Sequence, residues 1–349
     1  MKPFTCALIG AFASWATANP VPDAVRHNVN DRATVTVTDV ELLNLRFYAQ
    51  YAAAGYCNYG SAVGSTVTCS NNACPDVTSA GAKVVATFSG DLTDAEGFVS
   101  SDDTNKVIVV SIKGSQSIRN WITDFVFLQV PCDLVTGCLV HTGFFTAWNE
   151  IAEGVLAGLA TARAAHPDYP IVFTGHSLGG AVSTLGAAYA RKEGYSNVDV
   201  YSYGSPRVGN KAFAAFVTDQ AGAEFRVTHL DDPVPRLPPV IINYRHTSPE
   251  YWLSTGEAST TSYAVADIQV CQGYANLNCN GGTLGLDTSA HSSYFERIGA
   301  CSSSGIEWKR TVTSDMATSE PNDVSDDELE AKLNDWVEQD RAFVKTLDE

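Results

Sequence analysis

Residues Ile171 to Ala188 read IVFTGHSLGGAVSTLGAA, and this stretch decides the fold. Ile171, Val172, Phe173 and Thr174 are β-branched or aromatic and suit a strand. Gly175-His176-Ser177-Leu178-Gly179-Gly180 follows, and then an Ala-rich run that suits a helix. Strand, sharp turn and helix together lift a hydroxyl clear of the end of a sheet. Gly175 and Gly179 leave room where any Cβ would collide with the neighbouring element. Ser177 is therefore the candidate nucleophile. A bare G-x-S-x-G pattern would arise by chance in about one chain in eight of this length, so the flanking strand and helix carry the specificity.

The 349 residues, 45% of them apolar, are enough for one large α/β domain with a proper core. The net charge of −17 argues against nucleic acid and against charge-driven binding to anionic lipid. That charge is uneven. Residues 311–349 carry twelve acids against Lys332, Arg341 and Lys345, a net −9, which leaves −8 for the rest.

Lys2, the apolar run Phe4 to Trp15 and then Ala16-Thr17-Ala18 predict a signal peptide over residues 1–18 and a secreted protein. The run is too short to span a bilayer, and no later stretch approaches about 20 apolar residues, so no integral membrane anchor is expected. Residues 19–32 are polar, hold Pro20 and Pro22, and read as a propeptide or a loose arm. Beyond Cys6, eight cysteines remain: Cys57, Cys69, Cys74, Cys132, Cys138, Cys271, Cys279 and Cys301. An even number in an oxidising compartment points to disulfides, whose pairing the sequence leaves open. No C-x-x-C pair or histidine cluster suggests zinc.

Thr38-Asp39-Val40-Glu41 has the form of a capping box. Val40, Leu43, Phe47, Tyr51 and Ala54 keep helical spacing, predicting a helix to Gly55. Lys83 to Phe88 and Lys106 to Ile112 read as strands, the second apolar enough to be covered on both faces. It runs into Lys113-Gly114-Ser115-Gln116-Ser117. Acyl transfer needs donors aimed where a carbonyl oxygen becomes negative, one from the residue after the nucleophile and one from the loop after an earlier strand. Leu178 and Ser115 occupy those places. Beyond the loop, Ile118, Trp121, Ile122 and Phe125 fall on one helical face, opposite Arg119, Asn120 and Asp124. This face is read as a lid that opens at oil. Exposing four such side chains to water would cost about 6–12 kcal/mol, and contact with lipid would offset it.

A serine nucleophile needs an imidazole base, and the base needs a carboxylate that holds its tautomer. On this scaffold the acid and then the base follow the nucleophile in the chain. Phe225 to Leu230 reads as a strand ending in Asp231-Asp232-Pro233, and spacing does not choose between the two aspartates. His27, His141, His166 and His176 precede the nucleophile and His229 precedes the acid, leaving His246 and His291. His246, close to Pro249, suits a structural hydrogen bond. His291 follows the loop GGTLGLDTSA, a placement that lets its ring reach Ser177.

The stretches GSQSIRNWI, HTGFFTAW, VFTGHSLGGA, YSYGSPRVGN, DDPVPRLPP, HTSPEYW and AHSSYF occur in that order over roughly residues 34 to 301. They resemble the secreted filamentous-fungal class 3 lipases of the Rhizomucor/Thermomyces type, most of all the extracellular triacylglycerol lipases of Fusarium. The resemblance implies an α/β-hydrolase fold, with a central mostly parallel sheet and a helical lid, and a triad of Ser177, Asp232 and His291. It implies oxyanion donors at Ser115 and Leu178, a lid tryptophan at Trp121, and disulfides Cys57 to Cys301, Cys69 to Cys74 and Cys132 to Cys138. Cys271 and Cys279 exceed the common family set and pair by elimination. Lys113 stands where many members have arginine.

The lipase domain is thus expected over residues 33–310, followed by an acidic linker and C-terminal amphipathic helix in residues 311–349. Ser325-Asp326-Asp327-Glu328 forms a capping box. Leu329, Leu333, Trp336, Val337, Phe343, Val344 and Leu347 trace an apolar stripe that suits docking on an apolar surface, the alternative being a solvated or disordered tail. The expected chemistry is hydrolysis of carboxylic esters at a lipid–water interface by a monomer with no metal or cofactor. The rivals are a dual lipase/phospholipase, a feruloyl-type esterase for soluble esters, and an inactive lipid-binding protein.

Overall fold

The computed structural model describes residues 36–115, 122, 127–301 and 324–347. The expected signal peptide and propeptide lie outside the described residues, as does most of the linker. So do Ile118, Trp121 and Phe125 of the expected lid.

The chain runs α1 (Asp39–Asn58), α2 (Pro75–Ala80), β1 (Lys83–Ser89), β2 (Glu96–Asp102), β3 (Val107–Ile112), β4 (Gln129–Pro131), β5 (Leu139–His141), α3 (Thr142–Ala165) and β6 (Ile171–His176). It continues through α4 (Leu178–Lys192), β7 (Val198–Tyr203), α5 (Lys211–Asp219), β8 (Glu224–His229), β9 (Glu250–Leu253), β10 (Ile268–Cys271), α6 (Thr288–Ser292) and α7 (Asp326–Val344). Eight strands form one sheet in the order β1-β2-β3-β6-β7-β8-β9-β10. From β3 to β9 neighbours pair in parallel, and both edges are antiparallel. Register sets Ile112 opposite Gly175, His176 opposite Tyr203 and Tyr203 opposite Val227. The carboxyl ends of β3, β6, β7 and β8 therefore lie side by side, where open α/β sheets build their sites.

Alternation along the strands feeds two cores. Ile108, Val110 and Ile112 of β3 join Phe144, Trp148 and Ile151 of α3 and Val182 and Leu185 of α4 on one face. Val107 and Val109 join Leu45, Ala49, Ala52 and Tyr56 of α1 on the other. Every residue of β3 is buried, as its continuous apolar run predicts. The sequence reading did not anticipate β2, β9 or β10.

α1 opens on the expected capping box: Thr38 Oγ1 accepts the Glu41 N–H at 3.1 Å, and the Glu41 carboxylate accepts the Thr38 N–H at 2.7 Å. The stripe needs correcting. Tyr51 and Ala54 are buried, but Val40 and Leu43 are 66% and 63% exposed. The buried face runs instead through Leu45, Ala49, Ala52, Ala53 and Tyr56. Its alanines let the helix lie close to the sheet, and a search for large apolar side chains overlooks them.

α7 is docked. It too opens on a capping box, Ser325 Oγ accepting the Glu328 N–H at 3.2 Å. Leu329 and Leu333 are buried against Ile122, Val234 and Leu237, and Phe127 meets Trp336 edge-on at 5.1 Å. Asp340, which sequence alone would leave in solvent, is buried. It accepts the N–H groups of Val240 at 2.8 Å and Ile241 at 2.9 Å. Asn334 accepts the Gly285 N–H at 2.9 Å, and Arg341 donates to Gly282 O at 2.6 Å. Disulfides join Cys57 to Cys301, Cys69 to Cys74, Cys132 to Cys138 and Cys271 to Cys279.

Candidate active site

The turn between β6 and α4 holds Ser177 at φ 56° and ψ −128°, a backbone conformation that costs about 1–3 kcal/mol for a non-glycine residue. Close approach explains its glycines. A Cβ on Gly175 would lie 2.4 Å from the Gly179 carbonyl, and one on Gly179 would lie 2.2 Å from Ile112 O. The Ser177 N–H donates to Tyr203 O at 2.8 Å, pinning the turn to β7.

Leu178 is the first residue of α4, and the first four N–H groups of a helix have no partner within it. The loop after β3 runs against the same turn: a Cβ on Gly114 would sit 3.3 Å from Ser177 Cβ and 2.4 Å from His176 O. Ser115, the next residue, is half-buried at the site's edge. Lys113 pairs with Glu96 of β2 and lies 4.3 Å over the Tyr59 ring, so its charge is held between β2 and the residue that follows α1.

Asp232 lies just past the end of β8 and is wholly buried. Its carboxylate faces His291 Nδ1 at 2.9 and 2.8 Å, accepts the Val234 N–H at 2.9 Å and accepts the Tyr294 hydroxyl at 2.5 Å. Burial first, and then the Asp232 charge, push the Tyr294 hydroxyl well above its ordinary pKa, so it stays a donor. Asp231 is half-buried, and burial raises its carboxyl pKa. Of the two aspartates the spacing left open, Asp232 is the one bonded to a histidine. His291 Nε2 and Ser177 Oγ are both buried and lack a hydrogen-bond partner among the described residues.

His246 also finds a place. Its Nε2 donates to Pro235 O at 2.7 Å, and burial, with Arg226 and Arg207 nearby, drives its pKa well below the ordinary value. It is a neutral structural histidine. Of the expected lid residues, Ile122 is buried beside Val234, two residues from Asp232. The grouping Cys57, Cys69 and Cys301 has metal-like spacing, but all three sulfurs are in disulfides. Among the described residues no helix is long and apolar enough to cross a membrane.

Spacing gives Tyr294 no role, although it stands one turn after His291 in AHSSYF. His176 and His229 were set aside as bases by chain order, yet both lie at the site: His176 Nε2 is 2.8 Å from His291 O and His229 Nδ1 is 3.0 Å from Ala290 O. Chain order bears on the choice of a base and says nothing of a histidine bonded to a backbone carbonyl.

Residues 109–241 match the family model for lipase (class 3), and residues 3–85 match that for the lipase 3 N-terminal region. The secreted mono- and diacylglycerol lipase 1 of Fusarium solani is 50% identical over 336 residues, 96% of each chain. The secreted mono- and diacylglycerol lipase A of Penicillium cyclopium is 40% identical over 280 residues, 78% of this chain and 91% of that protein. The crystal structure of the mono- and diacylglycerol lipase from Aspergillus oryzae superposes with a TM-score of 0.71 at 42% identity, covering 76% of this chain and 99% of that one. An elbow serine over a mostly parallel sheet, two family models and a relative spanning nearly the whole chain lead to one conclusion: the chain belongs to the class 3 lipases, carboxylic ester hydrolases of the α/β-hydrolase fold.

Proposed function

We propose that the chain hydrolyses acylglycerol esters at a lipid–water surface by two-step acyl transfer. Ser177 Oγ attacks the ester carbonyl carbon while His291 Nε2 takes its proton. Asp232 holds the ring and stabilises its developing charge. The Leu178 N–H and the Ser115 N–H or hydroxyl stabilise the oxyanion. His291 then protonates the leaving glycerol oxygen as its bond to carbon breaks. Water, deprotonated by His291, attacks the acyl carbon, the bond to Ser177 Oγ breaks as His291 returns the proton to that oxygen, and the fatty acid leaves. The observation that carries this reading is the buried Asp232–His291 pair beside a strained elbow serine, with the second ring nitrogen and the serine hydroxyl both unpartnered among the described residues. The apolar face of residues 118–125 and the burial of Ile122 against Val234 support a lid. Residues 1–18 and the naming of relatives as secreted support an extracellular enzyme.

The sequence resemblance favours triacylglycerols. A second reading, preference for partial glycerides, is favoured by relatives named for mono- and diacylglycerols. Initial rates on tributyrin across its solubility limit, beside mono- and diacylglycerol emulsions, a phospholipid emulsion and a Ser177→Ala control, decide between them. A rate that jumps when droplets form and vanishes in the control supports the lidded lipase. A tributyrin rate far below that on diacylglycerol assigns the partial-glyceride reading. A saturating curve without a jump sinks the lid.

A further inference from the structure

α6, which carries His291, has only five residues. A helix that short has no stability of its own, so something outside it must aim the ring. Its start is fixed by Asp287, whose carboxylate accepts the N–H groups of Ser289 at 2.9 Å and Ala290 at 3.0 Å. The direction of the His291 Cα–Cβ bond depends on the two peptide planes meeting at that Cα.

Both planes are held by histidines. His176, the last residue of β6, reaches the His291 carbonyl through Nε2 at 2.8 Å. His229, the last residue of β8, reaches the Ala290 carbonyl through Nδ1 at 3.0 Å. A carbonyl only accepts, so each of these ring nitrogens carries a proton, and each neutral ring must accept at its other nitrogen. A tyrosine stands at each. The Tyr56 hydroxyl lies 2.9 Å from His176 Nδ1, and the Tyr263 hydroxyl lies 2.8 Å from His229 Nε2 and 2.9 Å from Thr260 O, so its one proton is shared between the ring and that carbonyl. Tyr56 oxygen also accepts the Gly114 N–H, which leaves its own proton for His176 and ties the pair to the loop before Ser115. Both imidazoles are fully buried, and burial, the largest cause for each, lowers their pKa values. Neutrality matters here because the His176 ring centre is 4.5 Å from that of His291, and a cation there would oppose the imidazolium formed during turnover.

We propose that His176 and His229 are positioning residues: each, as a neutral ring oriented by a tyrosine, grips one of the two peptide carbonyls flanking the His291 Cα and so aims Nε2 at Ser177. The proposal rests on the reading of His291 as the base.

The test uses the full chain and a soluble p-nitrophenyl butyrate substrate. His176→Gln keeps a donor near Nε2 and His229→Asn keeps one near Nδ1, whereas His176→Leu and His229→Leu remove it. Misaiming by about 1 Å costs up to about a hundredfold. The leucine variants, folded by circular dichroism, are expected to lose kcat by about ten- to a hundredfold with KM within about twofold. Their low-field proton resonance from the His291 Nδ1–Asp232 bond is expected to broaden or vanish. Gln and Asn are expected to restore the resonance and most of kcat. Folded leucine variants with unchanged kcat, or Gln and Asn variants as impaired as leucine, would overturn the proposal. If the leucine variants do not fold, Tyr56→Phe and Tyr263→Phe take their place: a several-fold fall in kcat at constant KM supports the grip, and unchanged kcat in both overturns it. His291→Ala separates the two readings, since substantial residual activity there means that the base assignment has failed.

Discussion

Arg207 and Asp340 form a buried ion pair that joins the turn after β7 to the C-terminal helix, Nη1 to Oδ2 at 3.6 Å, with side chains 2% and 3% exposed. Burial pulls the Arg207 guanidinium down to about 10, with Asp340 the strongest influence in the opposite direction. Arg207 also donates to Arg236 O at 2.5 Å and Pro238 O at 2.8 Å, on the segment that follows Asp232. The helix is thereby built into the segment next to Asp232.

Asp340→Ala removes the counter-charge and leaves the Val240 and Ile241 N–H groups without their acceptor. Breaking one side of a buried pair costs about 3–5 kcal/mol, which corresponds to a Tm lower by on the order of 10 °C. Differential scanning calorimetry measures it. A chain ending after residue 323 should lose at least as much, because the packing of Leu329 and Leu333 goes with it. Unchanged melting in both would mean that α7 docks without stabilising.

Removing the proposed nucleophile or the orienting carboxylate separates chemistry from binding. Ser177→Ala should lower kcat by roughly a millionfold and Asp232→Asn by roughly ten-thousandfold. Circular dichroism and melting should change little for the serine variant. Labelling by a serine-directed phosphonate, followed by mass spectrometry, should locate the adduct on Ser177 and find none in the alanine variant.

Ser115→Ala keeps the backbone N–H and deletes the hydroxyl. If that hydroxyl meets the oxyanion, kcat falls by about a hundred- to a thousandfold with KM nearly constant. A fall of less than threefold would assign the position to its N–H alone.

The buried neutral histidines bear on acid stability. His176 and His246 have folded pKa values well below the ordinary 6.5. Below about pH 6.5 the unfolded chain gains protons that the folded chain refuses, so each histidine lowers stability as pH falls, by about 1.4 kcal/mol per pH unit. Glu224 acts in the opposite sense, since burial pushes its carboxyl up to about 7 and it takes a proton in the folded state first. Comparison at each pH isolates the histidine: the stability difference between His246→Gln and the parent, from urea melts at pH 7.5, 6.5 and 5.5, should grow in favour of the variant by about that slope below pH 6.5.

The elbow glycines are set by space. Gly179→Ala places a Cβ 2.2 Å from Ile112 O, a main-chain atom that cannot move without shifting β3. Loss of activity together with a lower Tm is expected, and an alanine variant of parental activity would show that the turn can relax.

What depends on short spans is legible in the chain alone. The strand, turn and helix around Ser177, the buried run of β3, and the capping boxes of α1 and α7 are written in adjacent residues, because backbone sterics and local hydrogen bonds act over a few positions. Chain order then narrowed the base to His246 and His291. Tertiary structure decided whatever depends on which distant segments meet. Spacing could not separate Asp231 from Asp232, since only the fold sets one carboxylate against an imidazole 59 residues away. It could not foresee that Asp340, one acid among twelve in the tail, would be drawn inside by two N–H groups and a guanidinium 99 to 133 residues away. Nor could it anticipate Tyr294 on Asp232, or His176 and His229 on the carbonyls beside His291. A buried polar group is defined by its partners, and partners brought together by a sheet and its loops leave no periodic mark in the chain.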